Sequence, residues 1–191
     1  MRINEIITES EVLDEITRPG QGNAEYMLEK AGYEKLGQGV SGTVYAKPGE
    51  DSVLKLFQSW DKSYKLFVNF TLQHPNIHYP KFKGKMMKIT DNYYAIRMEK
   101  LTPLSQEHAK MVRTMKDYIT QRIATRFREI NPDEATWWQR DMEILETKQP
   151  GITEVCEELA KFVDESQSGL DLQAANVMLR GNTLVITDPV V

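Results

Sequence analysis

Apolar residues recur along the chain in two rhythms. From Tyr33 to Met98 the pattern is mostly period two, the mark of half-buried strands. Residues 33–45 read as two strands flanking Gly37-Gln38-Gly39-Val40-Ser41-Gly42, and Pro48-Gly49-Glu50-Asp51 turns the chain into a third, Ser52–Phe57. Lys81–Lys88 and Tyr93–Met98 read as two more strands joined around Asp91-Asn92, with Lys81, Lys83 and Lys85 facing solvent. One helix interrupts them over Asp61–Phe70. Asp61 stands at its N-cap, and Pro75 in the run His74-Pro75-Asn76-Ile77 ends it by disfavouring helix at the residue before it. Arg97–Leu104 then leaves the sheet as an extended connector.

Beyond Ser105 the spacing turns helical. Ser105 is placed to cap a long helix whose stripe runs Ala109, Val112, Met115, Ile119, Ile123 and Phe127. Asn131-Pro132-Asp133-Glu134 combines an N-cap, a first-position Pro and a third-position Glu, and starts a helix with Ala135, Trp138, Met142 and Leu145 inward. Pro150-Gly151 breaks it, and a third helix from about Thr153 to Glu165 follows on Val155, Cys156, Leu159, Phe162 and Val163. Gly181-Asn182 is a two-residue hairpin signal that predicts Val177–Arg180 paired with Thr183–Thr187. At the other end, residues 1–23 read as an amphipathic helix (Ile6, Val12, Leu13, Ile16) stopped by Pro19-Gly20. The pattern thus predicts an extension over 1–23, a sheet-bearing part over 24–100 and a mainly helical part over 101–191.

Composition narrows the class. With 191 residues, 40% of them hydrophobic and 27% charged, the chain can bury a sizeable core and is not of disordered type. A net charge of -4 argues against general nucleic-acid binding. Lys62–Lys100 is mostly basic and Asp133–Glu165 mostly acidic, which reads as two solvated faces. The single Cys156 rules out a disulfide within the chain and suits a reducing cytoplasm; on an apolar stripe it is expected to be a buried thiol. No apolar run reaches transmembrane length, and the first residues do not fit a signal peptide, so a cytoplasmic protein without a membrane partner is expected. His74, His78 and His108 lack metal-ligand spacing, and no zinc or G-x-S-x-G pattern occurs.

Residues with chemistry gather in two stretches. Asp171 stands five residues before Asn176, and Asp188 follows the hairpin, so one end of that hairpin would hold three oxygen-bearing side chains. Magnesium takes oxygen ligands and completes its shell with water and phosphate. Phosphoryl-transfer sites of this kind use one Asp to orient the attacking hydroxyl, and an Asn and an Asp on the metal. In the second stretch, Gly37, Gly39 and Gly42 let backbone N–H groups fold over phosphates with no Cβ in the way. Both flanks are strand-like, whereas a Rossmann fingerprint opens a helix. Lys55 lies mid-strand with Val53 and Phe57 on its face and Leu54 and Leu56 on the other; behind a glycine loop, an anion is the expected partner.

Taken in chain order, Leu36-Gly37-Gln38-Gly39-Val40-Ser41-Gly42-Thr43-Val44, Lys55, His74-Pro75-Asn76-Ile77, Asp171 with Asn176, and Asp188 resemble a protein kinase. The chain is most similar to the early serine/threonine protein kinases of autographiviral bacteriophages, which carry a comparable Ile-Thr-Asp-Pro-Val run; the likeness spans Ala31 to Val191. It implies an α+β, minimal bilobal fold: a small antiparallel N-lobe sheet with one helix, and a reduced, mainly helical C-lobe ending in a β-hairpin. It also implies ATP and Mg²⁺ as cofactors and Ser or Thr on host proteins as acceptors in a bacterial cytoplasm. Gly37, Gly39 and Gly42 would cover the phosphates and Lys55 would pair with the α- and β-phosphates. Val44 and Val53 would lie over the adenine and Met178 below it, with backbone bonds to its edge from Glu99 to Leu101. Asp171 would orient the acceptor hydroxyl, while Asn176 and Asp188 would hold Mg²⁺.

The chain departs from that family in places. Asp61 is the one acid between Lys55 and His74, where a kinase helix offers Glu to the Lys, and Lys65 lies nearer the expected position. Ser168-Gly169-Leu170 replaces the His-Arg before the catalytic Asp, and Gln173 replaces the His expected two residues after it. Three residues follow Asp188, so no activation segment or peptide platform is expected. An active kinase and a pseudokinase that holds nucleotide without transfer both remain open. A small-molecule phosphotransferase is a third reading, because antibiotic and sugar kinases share the Asp…Asn…Asp spacing.

Overall fold

A computed structural model describes residues 24–40, 42–129 and 136–191. The fold is mixed α+β, in two compact units: the described residues up to Asp61 with Lys81–Lys100, and Lys62–Pro80 with Leu101–Val191. The helix expected over 1–23 and the start signal at Asn131-Pro132-Asp133-Glu134 lie outside the described residues.

The first unit is a five-stranded antiparallel sheet in the order β1-β2-β3-β5-β4, with β1 at Glu34–Gln38, β2 at Gly42–Ala46, β3 at Ser52–Gln58, β4 at Phe82–Lys88 and β5 at Tyr93–Glu99. Helix α1, Ala24–Lys30, covers one face. It buries Ala24, Met27 and Leu28, spaced i, i+3, i+4, in a cluster with Tyr45, Leu54, Leu56 and Ala95. Burial of each Met or Leu there contributes roughly 1.5–3 kcal/mol. Two turns of helix are not stable alone, so this packing is what makes α1 helical. Arg97 ties the sheet to its turns: Nη1 donates to Glu50 Oε2 at 2.8 Å and Ser52 Oγ at 2.7 Å, and Nη2 donates to the Tyr33 hydroxyl at 2.8 Å. Edge strand β4 shifts register between Lys83 and Met87, around Gly84 at φ 78°, and exposes Lys81, Lys83 and Lys85. A bulge and a row of lysines keep that edge from pairing with another chain.

The second unit contains α2 (Lys62–Gln73), α3 (Ala109–Ala124), α4 (Trp137–Lys148) and α5 (Ile152–Ser166), with a three-stranded antiparallel sheet β6-β7-β8. Strand β6 is Thr102–Pro103, β7 is Val177–Arg180 and β8 is Thr183–Ile186. The hairpin closes where its sequence predicts, with Arg180 opposite Thr183 and Gly181 at φ 60°. Helix α5 is the most buried, on Ile152, Val155, Cys156, Leu159, Ala160, Phe162 and Val163. Residues 62–80 group with this unit, not with the sheet that precedes and follows them, for an aromatic reason. Phe70 stacks on Phe162 at 4.7 Å, and Phe67 and Phe70 both meet Tyr79 edge-on at 6.0 and 5.8 Å.

Among the described residues no further strand pairs with β8; two polar side chains close its edge. Gln149 Nε2 donates to the Asn182 carbonyl at 2.8 Å, and its Oε1 accepts from Leu184 N at 3.0 Å, so the side-chain amide stands in for a ladder rung. His78 accepts from Ile186 N at its own carbonyl (2.9 Å), and its ring nitrogens stand 2.8 Å from the Leu184 carbonyl and 3.0 Å from the Pro150 carbonyl. Both side chains are buried, and each pairs backbone groups that would otherwise be orphaned.

Two expectations are corrected. Ser105 makes no side-chain cap; it precedes a 3₁₀ turn, Gln106–His108, and its hydroxyl meets Glu107 and His108 instead. Helix α3 ends at Ala124, short of Phe127. Thr125 Oγ1 bonds back to the carbonyls of Gln121 and Arg122, and Arg126 and Phe127 adopt φ of 49° and 57°. Its buried face also includes Thr114 and Tyr118, outside the apolar stripe. Thr136 opens α4, donating from its N–H and its hydroxyl to Gln139 Oε1, both at 2.9 Å.

Candidate functional site

In the second unit, backbone pairing first fixes the loop 169–176. Gly169 and Val191 exchange N–H···O bonds at 2.9 and 3.0 Å, and Asp171 N donates to the Pro189 carbonyl at 2.7 Å. A Cβ on residue 169 would stand 2.8 Å from Val191 Cγ2, so glycine permits this approach. Buried Leu172 anchors the loop, and a 3₁₀ turn, Ala174–Asn176, delivers Asn176.

Asn176 is the hub. Its carbonyl accepts from Thr187 N at 2.8 Å, Thr187 Oγ1 at 3.0 Å and Asp188 N at 3.4 Å. Its Nδ2 donates to the Asp171 carbonyl at 2.7 Å and to Asp171 Oδ2 at 2.9 Å. Asp171, Asn176 and Asp188, selected from spacing, are thus gathered by direct bonds, and all three are partly exposed. With the Asn176 amide nitrogen turned to Asp171, its Oδ1 is the atom left to face a cation.

Among the described residues no group of three or more His, Cys, Asp or Glu side chains could hold a metal ion. The expected Mg²⁺ needs fewer protein ligands, since phosphate and water fill most of its octahedron. One amide oxygen at Asn176 and one carboxylate at Asp188 are hard donors of the kind it takes, so the residues present fit the ion.

In the first unit, Gly37, Gly39, Gly42, Val44, Val53 and Lys55 lie on β1 to β3 and the loop between them. Gly39 N donates to the Gly42 carbonyl at 2.8 Å and closes that loop. Register places Val44 opposite Lys55, and strand alternation adds Val53 to the same face. The three glycines differ in kind. A Cβ on Gly42 would meet the Leu56 carbonyl oxygen at 2.8 Å and Phe57 Cβ at 3.1 Å, so the sheet itself requires glycine there. Among the described residues a Cβ on Gly37 would meet nothing within 4 Å and one on Gly39 nothing nearer than 3.9 Å, and neither residue has a left-handed φ. Packing against the described residues therefore gives no reason for glycine at 37 or 39.

Sequence reasoning passed over Leu36. A register shift between Lys35 and Gly37 sets it beside Gly37 opposite Val44, 52% exposed. An apolar side chain on an otherwise polar edge strand was the available signal. At the expected adenine edge, Glu99 N donates to the Lys81 carbonyl at 3.0 Å and Lys100 N to the Asp51 carbonyl at 2.9 Å. Those two N–H groups are committed within the first unit. Met178 is partly buried on β7, opposite Pro103 and Val185.

Other reactive groups are structural. Burial pushes the Cys156 thiol far above its ordinary range, and it is fully enclosed. A cavity of about 400 Å³ lies among Tyr118, Arg122, Arg128, Trp138 and Glu157, but its polar groups face one another. The Tyr118 hydroxyl donates to Glu157 at 2.6 Å, Arg122 Nε stands 2.5 Å from the same oxygen though its N–H is poorly aligned, and Arg122 Nη1 donates to the Arg128 carbonyl at 2.9 Å. No helix among the described residues is long and apolar enough to cross a membrane.

The chain matches no protein-family model and no curated protein.

Proposed function

We propose that the chain is a small phage-type protein kinase that transfers the terminal phosphoryl group of ATP, with Mg²⁺, to a Ser or Thr hydroxyl on a host protein in the bacterial cytoplasm. The observation that supports this most is the Asn176 amide on Asp171, with Asp188 bonded to the Asn176 backbone. That arrangement supports the reading because it brings the Asp171 carboxylate to the Asn176 amide and ties the Asp188 backbone alongside, and Asn176 and Asp188 carry side-chain oxygens of the type a phosphate-bound magnesium needs. In this reading the unit with the glycine loop is the N-lobe and the helical unit the C-lobe of a minimal bilobal kinase-like fold.

Each residue then has a role. Asp171 accepts the hydrogen of the acceptor hydroxyl and aims its oxygen at phosphorus. Asn176 Oδ1 and the Asp188 carboxylate hold Mg²⁺, which when bound neutralises phosphate charge. The Lys55 ammonium pairs with the α- and β-phosphates, and open backbone at Gly37 and Gly39 lets N–H groups approach them. Val44, Val53 and Met178 are the apolar residues this reading assigns to the adenine, and Glu99 and Leu101 those it assigns to the adenine edge.

The test is purified protein with labelled ATP and Mg²⁺, beside Asp171→Ala. Label on the chain or on lysate proteins, absent in the variant, supports transfer. A second reading, a nucleotide-binding module without transfer, is favoured by one feature: α2 contains no Asp or Glu, where a kinase helix carries a Glu. Stabilisation by ATP with no label would select that module. Absence of both would dismiss the two together.

A further inference from the structure

The Asp171 carboxylate meets two amide donors. Asn176 Nδ2 reaches Oδ2 at 2.9 Å, and Gln173 Nε2 lies 3.2 Å from Oδ1 and 3.1 Å from Oδ2. We propose that Gln173 is a positioning residue, whose side-chain amide spans both oxygens of Asp171 and fixes the plane of the carboxylate that receives the acceptor hydroxyl. The inference rests on Asp171 having the role proposed above.

The geometry explains why a second donor is needed. Backbone bonds to Pro189 and from Asn176 fix where residue 171 sits. They leave the carboxylate free to turn, because the terminal torsion of Asp has a broad, nearly two-fold profile. Asn176 holds one oxygen, about which the plane can still swing. Gln173 bridges the two oxygens, and together the amides define an orientation. An ionised carboxylate offers roughly four lone-pair positions, so these contacts leave Oδ1 room for one more proton. Residues 173 to 175 are exposed, and packing does not hold the Gln173 side chain in place.

Two variants separate this from a general effect on the loop. Gln173→Met keeps the length and removes the donors, while Gln173→Lys restores a donor. Gln173→Met is expected to lower kcat about 10- to 100-fold, the size of one hydrogen bond to a charged group, with KM for ATP within about twofold. Gln173→Lys should recover most of the loss. Independently of turnover, the Gln173 side-chain amide signal in ¹⁵N–¹H spectra, identified by its loss in Gln173→Met, should move toward the position of a solvated amide in Asp171→Ala. An unmoved signal overturns the inference, as does a Gln173→Met protein with unchanged kcat. A wild-type chain that transfers no phosphate refutes the proposed function instead, and the amide signal then decides the clamp by itself.

Discussion

Replacing each loop glycine by alanine separates folding from function at the β1–β2 turn. In Gly42→Ala the new methyl would stand 2.8 Å from the Leu56 carbonyl oxygen, 3.1 Å from Phe57 Cβ and 3.3 Å from Phe57 Cα. Two of these atoms are backbone, so β2 and β3 must separate; overpacking of this kind costs about 1–3 kcal/mol. Alanine restricts the unfolded chain and returns about 0.4–1 kcal/mol. The net expectation is a loss of roughly 1–2 kcal/mol, or a melting temperature lower by about 2–8 °C.

Gly37→Ala and Gly39→Ala meet open space at backbone angles that alanine adopts, so the same entropy makes them neutral or stabilising by up to about 1 kcal/mol. Their loss should appear in binding: a methyl where a phosphate must approach backbone N–H groups weakens ATP about tenfold or more. Thermal unfolding of the three variants, with and without MgATP, reads both quantities. A Gly42→Ala protein as stable as wild type would refute the packing argument. Gly37→Ala and Gly39→Ala proteins that bind ATP like wild type would refute the phosphate loop.

Asp171→Asn should lower turnover by about 10²–10⁴ and leave ATP-induced stabilisation intact, whereas Asp188→Ala should abolish both; equal losses of binding would remove Asp171 from the proposed chemistry. His78→Phe removes the buried imidazole whose ring nitrogens face the Leu184 and Pro150 carbonyls, and with at least one hydrogen bond lost the denaturant midpoint should report a loss of about 1–3 kcal/mol. A loss under about 1 kcal/mol would show that His78 does not carry that edge. At Glu146, burial pushes the carboxyl up, but N–H donation from Gly151 at 2.6 Å and Thr153 at 2.9 Å outweighs it, and the folded group titrates below its ordinary value of 4.5. Its stabilisation is present above that value and lost as pH falls through the folded one, so urea midpoints should drop below about pH 4.5, less steeply in Glu146→Gln. An identical slope in the variant would place the acid sensitivity elsewhere.

What could be read before folding was what is local. Strands announce themselves by alternation and the last hairpin by two turn residues, so β2, β3, β5, β7 and β8 fall where the pattern puts them. Helix α1 escapes because seven residues give three apolar matches and nothing in them states that a sheet lies alongside. The end of α3 escapes because Thr125 and the two left-handed residues after it override an apolar spacing that continues to Phe127. Gln149 and His78 fall between elements with no local signal of burial, and only the β8 edge makes them core. The grouping of residues 62–80 depended on Phe162, remote in sequence from the Phe67 and Phe70 it gathers. In the site, spacing identified Asp171, Asn176 and Asp188, but Gln173 entered merely as a missing His, and three like glycines could not be told apart.

The ties around Asn176 are unequal. A carbonyl has two lone pairs, and the Asn176 carbonyl faces three donors. The two from Thr187 are short, and Asp188 N, at 3.4 Å, is the longest and weakest. Asp171, in contrast, is held by its N–H on Pro189, its carbonyl on the Asn176 amide and its carboxylate on two amides. The pair that would set the attacking geometry in the proposed reaction is therefore built into the resting fold. Such a preset suits a reaction in which the acceptor must be aimed each time, because misplacement of Asp171 by an ångström would be expensive.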